Sequence, residues 1–201
     1  MKRLLLLSFV FLLSFGGVQA QEFFNFGVKG GVNFATLTGD DADDLDIKMR
    51  TGFHLGVLAE FMISEKFGIQ PEVLYSTQGG KADMNFFDDV VGNVDAELKL
   101  EYITVPVMLK YFVAPGFSLE AGPQLSFLSK SEVEAKIQGE TETEDIKDDA
   151  ESFDFGAALG VGYGLPQGFL VQARYVMGFS DVYTDSDARN SVIQISVGWK
   201  F

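Results

Sequence analysis

The chain has 201 residues, no cysteine and a formal net charge of −14. The absence of cysteine excludes a disulfide framework, a thiolate metal site and a lipid-modified cysteine. The acidic balance disfavours nucleic-acid binding, which requires a basic footprint.

The N-terminus predicts a secretory signal peptide over residues 1–20. Lys2 and Arg3 precede an apolar run over 4–15, and small residues form a cleavage site that ends at Ala20. The apolar run is too short to span a bilayer as a helix. We therefore expect an exported domain over 21–201 without a helical anchor.

The sequence of this domain predicts eight β-strands, because apolar residues recur at every second position in eight segments. A tilted membrane strand needs about 9–11 residues, which these segments provide. Pro71, Pro106 and Pro123 fall inside predicted strands, where a bulge or a bend would have to accommodate each. The predicted strands are 24–35, 52–62, 67–78, 98–112, 117–128, 152–164, 169–179 and 191–201.

The connections between these strands alternate in length. Short periplasmic turns and longer external loops are typical of outer-membrane barrels. An even number of strands then places both termini in the periplasm. The tight turns are 63–66, 113–116 and 165–168, and the loops are about 36–51, 79–97, 129–151 and 180–190.

A soluble carrier or sandwich would show similar strand spacing, so the two strand faces must be compared. Alternate residues from Asp154 to Gly164 read Asp-Gly-Ala-Gly-Gly-Gly, a poor solvated exterior but a suitable crowded interior. Aromatic residues gather at both ends of the apolar face, as bilayer interfaces select. The sequence therefore predicts that the apolar face meets lipid and that the polar face lines the barrel.

The last strand is strictly alternating and ends in two outward aromatic residues, Trp199 and Phe201. We expect it to pair with the first strand, because closure hides both edges of the sheet.

Several segments resemble the PorT-like, or porin-family, outer-membrane β-barrel proteins of Bacteroidota. They are 26–34, 102–111, 121–128, 174–178 and the C-terminal strand. The resemblance implies an eight-stranded transmembrane barrel in the cell outer membrane, surrounded by lipid. It also implies that the outer-membrane assembly machinery reads Trp199 and Phe201 as a signal. It implies no single activity, because fold does not fix function.

The predicted interior carries four acids and four bases. The acids are Glu60, Glu72, Glu120 and Asp154, and the bases are Lys29, Lys110, Arg174 and Lys200. Side chains can fill the interior of an eight-stranded barrel, and charges there must be paired. We therefore expect a structural or binding barrel that is plugged by a polar network. The network residues are Lys29, Glu60, Glu72, Lys110, Glu120 and Arg174.

Two other functions compete with this plugged barrel. One is a small passive porin-like channel. The other is catalysis at His54, the only histidine, which a Ser–His–acid site would need. No nucleophile elbow accompanies His54, so we expect neither an enzyme nor a cofactor.

The four predicted loops hold 22 of the 29 acidic residues, most densely at 40–46 and 140–149. Neither run has the spacing of an EF-hand. We expect a solvated anionic surface, with weak divalent-cation binding as the alternative. The loop ligand or partner is not indicated by the sequence.

Overall fold

The computed structural model describes residues 24–40, 42, 47–85, 93–137, 140–147, 150–183 and 186–201, so the expected signal peptide lies outside it. Within these ranges no helix has the length and apolar character needed to cross a membrane. The described residues form nine β-strands. They are β1 (Phe24–Thr38), β2 (Lys48–Met62), β3 (Phe67–Asn85), β4 (Asn93–Ala114), β5 (Phe117–Ile137), β6 (Glu140–Asp145), β7 (Phe153–Gly164), β8 (Phe169–Asp181) and β9 (Arg189–Lys200).

Eight of these strands close into an antiparallel barrel. They pair in the order β1-β2-β3-β4-β5-β7-β8-β9, and β9 returns to β1. The closing pair runs from Gly27↔Lys200 to Thr38↔Arg189, so every strand of the wall is hydrogen-bonded on both sides. The predicted eight-stranded transmembrane fold is confirmed.

The two faces of the wall differ in chemistry as predicted. Outward side chains are apolar and exposed, such as Val107 at 40% and Leu159 at 51%, whereas the inward Gln70 is fully buried. Aromatic pairs lie on the outer face at both ends of the barrel, so an aliphatic band lies between two aromatic girdles. Examples are Phe67–Tyr111 at the turn end and Phe127–Phe153 at the loop end.

The turn end of the barrel agrees closely with the predicted strand bounds. β3, β5 and β8 begin at Phe67, Phe117 and Phe169 as expected. Two of the turns contain a glycine in the left-handed region, Gly116 at φ 77° and Gly168 at φ 90°. A side chain would strain the backbone at either position.

At the loop end the strands are longer than predicted, and this part of the prediction is wrong. β3 and β4 pair out to Asn85↔Asn93, and β5 continues to Ile137 with the unpredicted strand β6 beside it. The short strand β6 has polar residues on both faces, so the alternation that identifies a half-buried strand is missing there. The extensions of β3, β4 and β5 do alternate, as in Val94, Ala96 and Leu98 of β4, but they are rich in charged residues and were predicted as loops.

Irregularities in the ladders fall at unexpected places. The register is the same on both sides of Pro71 and of Pro106, so neither proline requires a bulge. A bulge does occur at Ser129, where Glu101 pairs with Lys130 but Tyr102 pairs with Leu128. The extra residue reverses which positions of β5 point inward above it.

Candidate functional site in the barrel interior

Seven charged side chains meet in the turn half of the interior. Every barrel strand except β7 contributes one of them, at an inward position of the two-residue alternation. The residues are Lys29, Glu60, Glu72, Lys110, Glu120, Arg174 and Lys200, which we call the interior network. It contains all six residues that the sequence predicted, together with Lys200.

Arg174 joins the two carboxylates at the centre of the network. Its Nη2 lies 2.7 Å from Glu72 Oε1 and 2.8 Å from Glu120 Oε2, and its Nε donates to the same Glu120 oxygen at 2.9 Å. The side chain is buried with its two partners. Charge-assisted hydrogen bonds of this kind are among the strongest in proteins.

Further polar partners lie beside these carboxylates. Lys29 Nζ lies 2.9 Å from Glu72 Oε2, and Gln70 Nε2 donates to Glu72 Oε1 at 2.6 Å. Gln172 Nε2 donates to Glu120 at 2.9 Å, while its Oε1 accepts from Lys29 at 3.2 Å. Each buried charge therefore has several partners from different strands, as a dry interior requires.

The network continues to the turn-side mouth of the barrel. Lys110 Nζ lies 2.7 Å from Glu60 Oε2 and 3.4 Å from Glu120 Oε1. Lys200 Nζ lies 2.6 Å from the other Glu60 oxygen. A cavity of about 350 Å³ reaches inward from this mouth to Lys110, Lys200 and Gln172.

Strand β7 provides space for the network by contributing no side chain to it. A Cβ at Gly160 would overlap Ala173 O and the Arg174 side chain, and a Cβ at Gly162 would overlap the Glu120 carboxylate. The glycines of this strand therefore allow long side chains from β5 and β8 to cross the lumen.

The four acids and four bases expected in the interior all face inward, but one of the acids lies outside the network. Asp154 lies apart from it, near the loop end, where Asn190 Nδ2 donates to its Oδ2 at 3.2 Å and to the Tyr102 hydroxyl at 3.2 Å. The network itself has three acids and four bases. Alternation predicted that Asp154 faces inward, but it carries no information about height along the barrel.

His54 belongs to a second hydrogen-bonded group. Its Nδ1 lies 2.7 Å from Asn33 Oδ1 and its Nε2 lies 2.7 Å from Ser196 Oγ. This order of hydroxyl, imidazole and amide has the connections of a catalytic triad. All three residues are at most 1% exposed, so the barrel wall encloses the serine instead of presenting it to a substrate. The sequence did not identify Ser196, which lies 142 residues from His54.

The acidic loops provide no metal site within the described ranges. No group of three or more His, Asp or Glu side chains there is placed to hold a metal ion. Glu142 and Glu144 are exposed on β6. Most of the acidic run over 40–46, and Asp148 and Asp149, lie outside the described residues.

Comparison with known proteins identifies the family. Residues 19–184 match the family model of the outer membrane protein beta-barrel domain, and this match covers most of the chain. The chain belongs to this family. Members are outer-membrane proteins, so the lipid around the apolar face is that of the outer membrane. No curated protein matches the chain.

Solved structures of outer-membrane barrels resemble this family member. Ail, the attachment invasion locus protein of Yersinia pestis, matches with a TM-score of 0.51 at 14% identity, over 88% of this chain and 98% of Ail. The same protein in complex with the heparin analogue sucrose octasulfate matches with a TM-score of 0.51 at 15% identity, over 89% and 99%. Neisserial surface protein A matches with a TM-score of 0.55 at 16% identity, over 88% and 97%. These likenesses show the fold alone.

Proposed function

We propose that this protein is a non-enzymatic structural or binding barrel of the PorT-like, porin-family type, whose interior is closed by side chains. The observation that carries the proposal is the interior network, in which Arg174 joins Glu72 and Glu120 across the lumen at 2.7–2.9 Å. A barrel that conducts must leave these groups hydrated, whereas here they are buried and paired with one another.

A solute-flux experiment tests this proposal. The refolded protein is reconstituted into vesicles, and osmotic swelling is followed with small sugars and amino acids against a general porin as positive control. We expect swelling no faster than in protein-free vesicles. Rapid swelling that depends on protein concentration would overturn the proposal.

The second candidate function is a narrow channel that favours anions. Two observations favour it: the network has four bases against three acids, and the cavity at the turn-side mouth reaches Lys110 and Lys200. Ion-selective pores expose an excess of one charge sign. Chloride efflux from vesicles loaded with a chloride-quenched dye distinguishes the two, since only the channel predicts efflux faster than the leak of empty vesicles.

Export and assembly complete the proposal. Residues 1–20 are removed as a signal peptide, so the mass of the protein from outer membranes should correspond to a chain that begins at Gln21. Both termini lie in the periplasm, which places the long loops outside the cell. Phe201 is 71% exposed, and its N–H donates to Phe26 O at 2.8 Å, an accessible position for recognition by the assembly machinery.

A polyanionic ligand of the kind bound by Ail does not suit the loops of this protein. Ail forms a complex with the heparin analogue sucrose octasulfate. The present chain has a net charge of −14 and 22 of its 29 acidic residues in predicted loop segments. Repulsion between like charges therefore disfavours a polyanionic ligand at the loop end.

A further inference from the structure

A second cavity, of about 310 Å³, lies at the loop-side mouth of the barrel. Its lining is almost wholly apolar and comes from β1, β3, β4 and β5, the segment before β2, and the segments after β6 and before β9; Lys81 and Ser186 are its polar members. We call it the apolar cup. The side chains that define it here are Leu37, Ile47, Ala82, Ala96, Leu98 and Val133.

The apolar cup lies beyond the membrane. Leu98 pairs with Gly80, which is five residues beyond Tyr75, a member of the loop-side girdle. Five residues correspond to roughly 16 Å of strand. The lipid bilayer therefore does not explain the apolar lining. Leu37 is buried, whereas the other apolar side chains that define the cup are partly exposed to the cavity, so a bound apolar molecule would remove further apolar surface from water.

The cup ends in a closed floor. Leu100, Tyr102 and Leu128 lie beneath it as a buried apolar cluster with Val182. Tyr102 is 1% exposed, and its hydroxyl accepts a hydrogen bond from Asn190. A molecule that enters the cup is therefore held there and has no open path into the interior network.

Ion pairs fix the wall of the cup. Glu97 accepts from Arg50 Nε at 2.8 Å and pairs with Lys81 Nζ at 3.4 Å, which links β2, β3 and β4. Partial burial opposes ionisation of Glu97, but the hydrogen bond from Arg50 and the charges of Arg50 and Lys81 outweigh it and lower the pKa of Glu97. The ionised carboxylate therefore links β2, β3 and β4 at the level of the cup.

The charge around the cup restricts its ligand. The four predicted loop segments contain 22 acidic residues against 7 basic ones. Their field repels anions, including fatty acids, and does not oppose uncharged molecules. An apolar cavity of about 150 Å³ accommodates benzene, and small-molecule sites begin at about 300 Å³. The cup therefore suits a neutral apolar molecule larger than benzene.

We propose that the apolar cup binds a small uncharged apolar molecule at the loop-side mouth of the barrel. The proposal deepens the binding role of the proposed function and rests on the closed interior for retention of the ligand. Binding in the cup relies on the closed floor beneath it and not on whether ions cross the interior network. Failure of the cup to bind would therefore leave the flux and efflux experiments unaffected.

Methyl NMR on the protein in lipid nanodiscs tests the proposal, with indole as the neutral probe. We expect saturable shifts at the methyl groups of Leu37, Leu98 and Val133. Val107 and Leu159 face lipid and should show only non-saturating shifts, because indole also partitions into the bilayer. Indole-3-carboxylate, the anionic probe of similar size, should bind at least about tenfold more weakly.

Matched variants assign the effect to the cup. Ala96→Leu fills the cavity and should weaken indole binding at least about tenfold. Ala121→Leu makes the same change on the lipid face and should leave binding unchanged. Ala82→Leu, on the neighbouring strand, replaces Ala96→Leu if that variant does not fold. The proposal is overturned by non-saturating shifts in the natural protein, by equal affinity for both probes, or by full binding in the filled variant.

Discussion

Replacing Arg174 with methionine perturbs the interior network at its centre. The guanidinium holds Glu72 at 2.7 Å and Glu120 at 2.8 Å, and the side chain is 1% exposed. Methionine keeps much of the volume but removes the charge, so both pairs break without a large cavity. Breaking a buried pair by removing one partner costs about 3–5 kcal/mol.

We expect Arg174→Met to lower the free energy of unfolding by about 3 kcal/mol, near the lower end of the range for breaking a buried pair. Each carboxylate keeps another partner, since Lys29 remains 2.9 Å from Glu72 and Gln172 remains 2.9 Å from Glu120. The loss comes from broken contacts and not from excess negative charge, because three acids and three bases remain. Urea titration in lipid vesicles, with the folded fraction read from gel mobility, measures it.

Two controls separate charge from packing at this position. Arg174→Lys keeps the charge without the fork and should recover part of the loss. A double-mutant cycle with Glu120→Gln should give a coupling of about 0.5–3 kcal/mol. A loss for Arg174→Met below about 1 kcal/mol, or additive losses in the cycle, would refute the reasoning that these pairs stabilise the barrel.

Three further changes test the lipid face, the crowding beside β7 and the last strand. Leu159→Arg should cost about 2–4 kcal/mol in vesicle titrations, and tolerance of the charge would contradict the face assignment. Gly160→Ala should cost about 1–3 kcal/mol of unfolding free energy, because the new Cβ would overlap Ala173 O and the Arg174 side chain. An unchanged free energy of unfolding would show that β8 can shift at little cost. Deleting Phe201 should lower the yield in fractionated outer membranes more than the stability of refolded protein. An unchanged amount of heat-modifiable protein in that fraction would sink the assembly role.

Alternation and turn chemistry were sufficient to predict the barrel but not its loop end. Phe67, Phe117 and Phe169 begin strands as predicted because tight turns precede them and lipid selects an apolar outer face. Above the girdle β6 is polar on both faces and has no periodic signal, whereas the extensions of β3 and β4 alternate but are so rich in charged residues that they resemble loops. The bulge at Ser129 also reverses the inward positions of β5.

The same physics limits prediction of the interior. The two-residue alternation along each strand predicts that Arg174 and Asp154 both face inward, yet only Arg174 belongs to the interior network. The height of a residue depends on strand stagger around the barrel, which a single sequence does not display. The contact between His54 and Ser196 could not be predicted for a similar reason, because it forms only when β9 pairs with β1 and closes the barrel.

Planar-bilayer recording of the refolded protein tests most directly the claim that side chains close the interior. We predict a baseline current without discrete steps in symmetric and asymmetric potassium chloride, with a general porin confirming that insertion is detected in the same bilayers. The network of buried pairs leaves ions no hydrated path through the level of Arg174 and Glu120. Reproducible steps that scale with salt concentration and reverse at a selective potential would contradict the closed interior.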